Sequence, residues 1–318
     1  MKRVLPVILM SAVLLQACTK EFTLDVSGKS KLFLHCCPGA NDTTYIYLNR
    51  AVPVGDSYKG SFFLEDAEIA FEVDDVLMAM HREGYEEGIQ PRRCWYVVDP
   101  LPEGGRISFS AVVDDLPPIT ATTVIPADVP EFEYDLSADA SSLRIAFDDN
   151  PDTRDWYGIA LLCEREVYDW EGKAFETVQY AWQMPKQEMA SVFSVSLEKR
   201  YVDATFDGFF FGNDNRCTLR IWPDEYFSGP HVDLTVQFRN SPGLWSGNAH
   251  TYKNRYKVRL FKVTQEFFNY AVAQDHVKNN ELAQGGLAPA AFAYTNIHGG
   301  VGILAGWTMR ETDWITLD

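Results

Sequence analysis

The sequence predicts an all-β (mainly β) protein, built as two successive β-rich domains with a single helix packed on the second. Short runs rich in Val, Ile, Thr, Tyr and Phe recur between Pro-Gly, Asn-Asp, Gly-Asp and Gly-Gly breaks, the texture of strands joined by turns. The connector Ala127-Asp128-Val129 lies between Pro126 and Pro130 and marks a boundary near the middle of the β-rich region. Hydrophobic residues make up 46% and aromatics 14% of 318 residues, enough for each half to bury its own core.

The N-terminus reads as an export signal. Lys2 and Arg3 form a positive start, and Val4 to Leu15 supply about a dozen apolar residues, short of the roughly 20 that a membrane-spanning helix needs. Leu15-Gln16-Ala17-Cys18 then has the form of a lipobox: an aliphatic residue three positions before the cysteine, a small one directly before it, and a thiol able to take a diacylglyceryl group. Residues 1–17 are expected to be a lipoprotein signal peptide, Cys18 the lipidated residue, and 18–30 a polar tether. Several acyl chains, at about 0.8 kcal/mol per buried CH₂, would hold the protein on a membrane permanently.

From residue 31 to 127 the expected strands are Leu32–His35, Tyr45–Leu48, Glu68–Val73, Trp95–Val98, Ile107–Val113 and the run Ile119 to Pro126. Their number and spacing suit a β-sandwich of about 100 residues. Residues 131–318 carry longer strands at Leu143–Phe147, Trp156–Glu164, Phe175–Trp182, Thr218–Trp222 and Val232–Phe238, with a hairpin turn at Asp169 to Lys173. One helix is expected near 264–279. Thr264 caps it, Glu266 favours its positive end, and Phe267, Phe268, Ala271 and Val272 form an apolar stripe that packs on a sheet. Glycines at 285–286 and 299–300 precede two final short strands.

Charge and motif content exclude several activities. Asp+Glu 45 against Lys+Arg 28 gives a net charge of -17, which repels polyanions, so no nucleic-acid partner is expected. GxSxG, HExxH, the P-loop and GxGxxG are absent, and the six histidines fall in unrelated contexts. The acid pairs Asp74-Asp75, Asp114-Asp115 and Asp148-Asp149 read as solvated turns, not as a glycosidase dyad, whose carboxyls must face each other across a cleft. No catalytic residue is therefore assigned, and no cofactor.

Metal ligation is not expected either. Neighbours on a strand point to opposite faces, so His35-Cys36-Cys37 could not easily grip one ion. Asp148, Asn150 and Asp152 imitate the start of a calcium loop, but Thr153 and Ile159 stand where its glycine and glutamate belong. Removing Cys18 leaves Cys36, Cys37, Cys94, Cys163 and Cys217, an odd number. The expected bridge joins Cys37, or else Cys36, to Cys94, all in the first half of the chain. Among the aromatics Trp95, Trp170, Trp182, Trp222, Tyr226, Phe227 and Trp245, the turn-rich segment 222–230 is the best candidate for a ligand face. Trp222, Tyr226 and Phe227 would stack on sugar rings there.

Several stretches in order resemble the Bacteroidota lipoprotein family catalogued as domain of unknown function 4249. They are Lys31-Leu32-Phe33-Leu34-His35-Cys36, Tyr45 to Arg50, Glu65 to Ile69, Ala121 to Pro126, Phe147-Asp148-Asp149 with Trp156 to Ile159, and Asp203 to Gly208 as a turn. Most telling is the ending, where Tyr294 to Gly306 is similar to the family's "N-I-x-x-G-x-G-x-x-x-G", with Leu304 in place of its usual aromatic. The resemblance implies an immunoglobulin-like sandwich over 31–127 and attachment to the outer membrane. It also implies a TonB-dependent transporter as companion, and no established catalytic residues. The expected function is a lipid-anchored, non-enzymatic accessory or ligand-capture partner of such a transporter. A glycan-binding surface lipoprotein and a structural or adhesive surface component are the alternatives. In the ending itself, the glycines suit close backbone packing and Asn296 a side-chain bond to the turn.

Overall fold

The computed structural model describes residues 29–40, 43–53, 58–82, 94–168, 174–181, 202–206, 217–227, 230–237, 251–279 and 294–317. Contacts gather residues 31–51 and 61–318 into one body. Residues 1–30 and 52–60 form a separate unit, of which 29, 30, 52, 53 and 58–60 are described. In chain order the strands are β1 (Lys31–Cys36), β2 (Thr44–Ala51), β3 (Glu68–Val73), β4 (Val76–Leu77), β5 (His81–Arg82), β6 (Trp95–Val97), β7 (Arg106–Val113), β8 (Leu116–Val124) and β9 (Phe132–Leu136). There follow β10 (Ser142–Asp148), β11 (Trp156–Tyr168), β12 (Ala174–Ala181), β13 (Val202–Phe206), β14 (Cys217–Pro223), β15 (His231–Gln237) and β16 (Thr251–Val263). Helix α1 (Gln265–Asn279) and strands β17 (Val301–Leu304), β18 (Trp307–Glu311) and β19 (Ile315–Thr316) complete the order. The protein is mainly β.

The first core lies between a sheet ordered β17-β1-β2-β6-β5 and one ordered β4-β3-β7-β8. Alternation places Leu32, Leu34 and Cys36 of β1 inside, with Ile46 and Leu48 of β2, against Phe71 and Val73 of β3 and Ile107, Phe109 and Ala111 of β7. The acid pairs in this half do serve turns. Asp74 and Asp75 are both left-handed (φ 49° and 64°) and form the two-residue link between β3 and β4. Asp114 and Asp115 link β7 to β8, and Asp115 reaches across to Arg50 of β2 at 2.6 Å.

The second core lies between a sheet ordered β15-β10-β9 and a seven-stranded sheet, in which β12 on β11 and β19 on β16 join the five-strand order β13-β14-β11-β16-β18. Strand β11 is apolar on both faces because both are covered. Ile159, Leu161 and Cys163 face the second core, while Ala160 joins Phe261, Val263 and Trp307 under α1. The helix starts as expected: Thr264 Oγ1 accepts the Phe267 N–H at 3.4 Å, and Phe267 and Ala271 are buried against the sheet.

Two expectations need correction. The segment expected as a turn at Asp203 to Gly208 contributes strand β13, and among the described residues three short strands follow the helix, not two. The thirteen-residue β16 adds to the expected strands, its basic and apolar residues alternating. The C-terminal segment returns to the first sheet: β17 pairs in parallel with β1, Gly302 opposite Leu34, and Ile297 and Leu304 enter the first core. Asn296 fixes this return. Its Nδ2 donates to Leu304 O at 2.7 Å and its Oδ1 accepts the Leu304 N–H at 3.0 Å.

Candidate functional site

Three carboxylates converge at one end of the second core. Asp149 follows β10, Asp155 precedes β11, and Asp224 follows β14 in a 3-10 turn over Asp224–Tyr226. Register brings them together. Trp156 is paired with Pro223 on one side and Val263 on the other, so the residues beside them arrive at one level. A carboxylate oxygen from each of the three lies within 4.8 Å of the others.

The cluster is closed by its own hydrogen bonds. The Asp155 N–H donates to Asp224 Oδ2 at 2.6 Å, and the Asp224 N–H returns to Asp155 O at 2.9 Å. Thr153 Oγ1 donates to Asp155 Oδ2 at 2.7 Å, and the Tyr157 hydroxyl donates to Asp149 Oδ1. Lys262 Nζ stands 2.8 Å from Asp155 Oδ2, and both side chains are about nine-tenths buried, with 11% exposed on each. Burial raises the Asp149 pKa above the ordinary carboxylate value. The Tyr157 hydroxyl opposes that shift, and the nearby Asp224 and Asp155 add to it. The Tyr157 phenol is likewise pushed up, first by burial and then by its bond to Asp149. Chemically, such an all-oxygen donor set suits a hard cation, and Lys262 already supplies one positive charge. Among the described residues neither an imidazole nor a thiol belongs to the cluster.

Other residues singled out in the sequence stand elsewhere. Trp222 is 2% exposed, deep in the second core, and Phe227 packs half-buried against it with ring centroids 6.4 Å apart. Trp222 thus offers no face to a sugar, because alternation along β14 turns it inward beside Tyr157. Tyr226 ends the 3-10 turn, and Trp95 is half-buried against the first core. Trp170, Trp182, Trp245 and Cys18 lie outside the described residues.

The Cys37–Cys94 bridge is absent, and Cys36, Cys37, Cys94 and Cys163 are thiols. The topology explains this. Strand β2 lies between β1 and β6, so their backbones run about 9–10 Å apart, beyond the roughly 7 Å limit for a disulfide. Asp148 pairs with His231 at 2.8 Å, and Asn150 Oδ1 accepts the Asp152 N–H at 3.1 Å, so the acidic loop stabilises its own turn. Sequence reading marked this loop but could not see Asp155, Asp224 and Lys262 joining it.

Fold and site together define a class: an all-β protein with one described helix, in which the acidic residues that meet are tied to one another and to a buried lysine. The chain belongs to the family described as Domain of unknown function (DUF4249), whose model matches residues 19–313. No curated protein matches the chain.

Proposed function

We propose that this protein is a lipid-anchored, non-enzymatic component of the outer membrane that serves as accessory or ligand-capture partner to a TonB-dependent transporter. The observation that carries the reading is the position of the lipobox. The family match begins at residue 19, directly after Cys18, so the matched body starts where an acylated cysteine would leave it. No helix among the described residues is long and apolar enough to cross a membrane. The acidic cluster supports a binding protein over a catalyst, since its hydroxyls and its ammonium are engaged in holding the β10–β11 loop to β14 and β16.

Two measurements test the reading on the full chain. A tagged protein solubilised from outer membranes is expected to bring a TonB-dependent transporter with it; recovery without one would overturn the accessory role. Cys18→Ala is expected to move the protein from the membrane fraction to the soluble fraction. Retention in the membrane would overturn the lipid anchor.

A further inference from the structure

One cavity, of about 600 Å³, opens at the end of the first core between its two sheets. That volume is in the range of sites that hold small organic ligands. Its floor is apolar: Phe63 and Leu64 are buried, and Val113 lies beside them at the end of β7. Its rim is acidic. Asp66, Glu68 and Asp114 line the opening, all exposed, and none of them has an ion-pair partner among the described residues.

The one cation lining the cavity does not offset this charge. Arg50 Nη2 meets both carboxylate oxygens of Asp115, at 2.8 Å and 2.6 Å, so its charge is spent on a strap from β2 to the β7–β8 turn. Glu65, also on the lining, has its own partner in Arg82 at 3.5 Å. The cavity is therefore fixed in shape by the strap, greasy at its base, and negative at its mouth. A concave wall of one sign focuses the field and concentrates counter-charged ligands at the opening.

We propose that this cavity binds a small organic cation, an ammonium or guanidinium carried on an apolar stem. The stem would cover Phe63, Leu64 and Val113 while the charge sits among Asp66, Glu68 and Asp114. A free amine and a short basic peptide share this chemistry. An anion would meet three carboxylates, and a neutral apolar molecule would leave them uncompensated and partly desolvated. The proposal is independent of the transporter reading, because it concerns binding by the isolated protein in dilute solution.

Isothermal titration calorimetry on the full chain tests it with two probes, the tripeptide amide Lys-Leu-Lys and spermidine. Binding of the tripeptide is expected, weakening as salt is raised and lost on acetylation of its amines. The variant Asp66→Asn/Glu68→Gln/Asp114→Asn should bind it about tenfold more weakly or less. These exposed substitutions keep side-chain shape, and an unchanged thermal midpoint would show that the variant is folded. Spermidine distinguishes the sources: equal binding assigns the site to polyamines, weaker binding to basic peptides. The proposal is overturned if neither probe binds, if the acetylated peptide binds as well as the parent, or if the folded variant binds as tightly as the original.

Discussion

Replacing Gly302 by alanine puts the return of the C-terminal segment under direct test. Gly302 has φ +117°, a conformation side-chain-bearing residues avoid, and an added Cβ would lie 1.9 Å from the carbonyl oxygen of Leu34 on the paired strand β1. Backbone lies on the other side of that contact, so β17 must move away by about 1 Å to reach even 3.0 Å. Strain at the dihedral costs about 1–3 kcal/mol, and overpacking about 1–3 kcal/mol more. A combined loss of roughly 2–6 kcal/mol lowers the thermal midpoint on the order of 10 °C in a body of this size. Gly104→Ala is the control. It has a similar φ of +79°, but the nearest atom to its Cβ would be 3.9 Å away, so only strain remains, about 1–3 kcal/mol. Differential scanning calorimetry on the parent and both variants reads the difference. If Gly302→Ala melts within about 2 °C of the parent, or no lower than Gly104→Ala, β17 is not clamped against β1 as described.

Lys262→Met removes the ammonium beside Asp155 and leaves a buried carboxylate facing Asp149 and Asp224; a loss of about 3–5 kcal/mol in urea unfolding is expected, part of it recovered in Lys262→Met/Asp155→Asn. A stability unchanged in the single variant would show that the pair is solvated. His35, packed between the rings of Tyr47 and Tyr270 at 6.3 and 6.0 Å, has its pKa lowered by burial to about 4 from 6.5. The folded state thus binds fewer protons than the unfolded one between those values, and stability falls as pH drops through that window, by up to ~3 kcal/mol. His35→Gln should flatten that part of the stability profile, and an identical profile would show that the imidazole is not held below its ordinary pKa. Trp222→Ala, which empties the second core beside Tyr157, is expected to lose about 3–5 kcal/mol of stability; a variant as stable as the parent would place this indole at the surface after all.

The strands that could be read from the sequence share one property: each has one face on a core and the other facing outward, so the alternation survives in the letters. Strands β1, β2, β7 and β8 are of this kind. Strand β11 is covered on both sides, and its run Tyr157 to Cys163 could be found only by length and turn signals. Strand β16 carried a usable signal in Lys253, Arg255, Lys257 and Arg259 alternating with Asn254, Tyr256, Val258 and Leu260. On the sheet the long basic side chains stand opposite acidic partners: Arg255 is paired with Glu164 on β11, and both Lys257 and Arg259 bind Glu311 on β18.

The return of β17 and the acidic cluster were hidden for a different reason. Both depend on register between segments far apart in the chain, and register leaves no local mark. Glycines at 299, 300, 302 and 306 announced close packing without naming the partner. Cβ atoms there would strike Pro118, Leu32, Leu34 and Val124, residues of two earlier strands, β1 and β8. The acidic loop at 148–152 likewise looked self-contained until Trp156 was paired with both Pro223 and Val263. That pairing decides what the carboxylates can do. Had Lys262 lain one residue along β16, alternation would have turned its ammonium to the opposite face of the sheet, leaving Asp155 buried without a cation beside two further acids. The lysine in register is therefore what places a positive charge against Asp155 where three acidic side chains meet at the end of the second core.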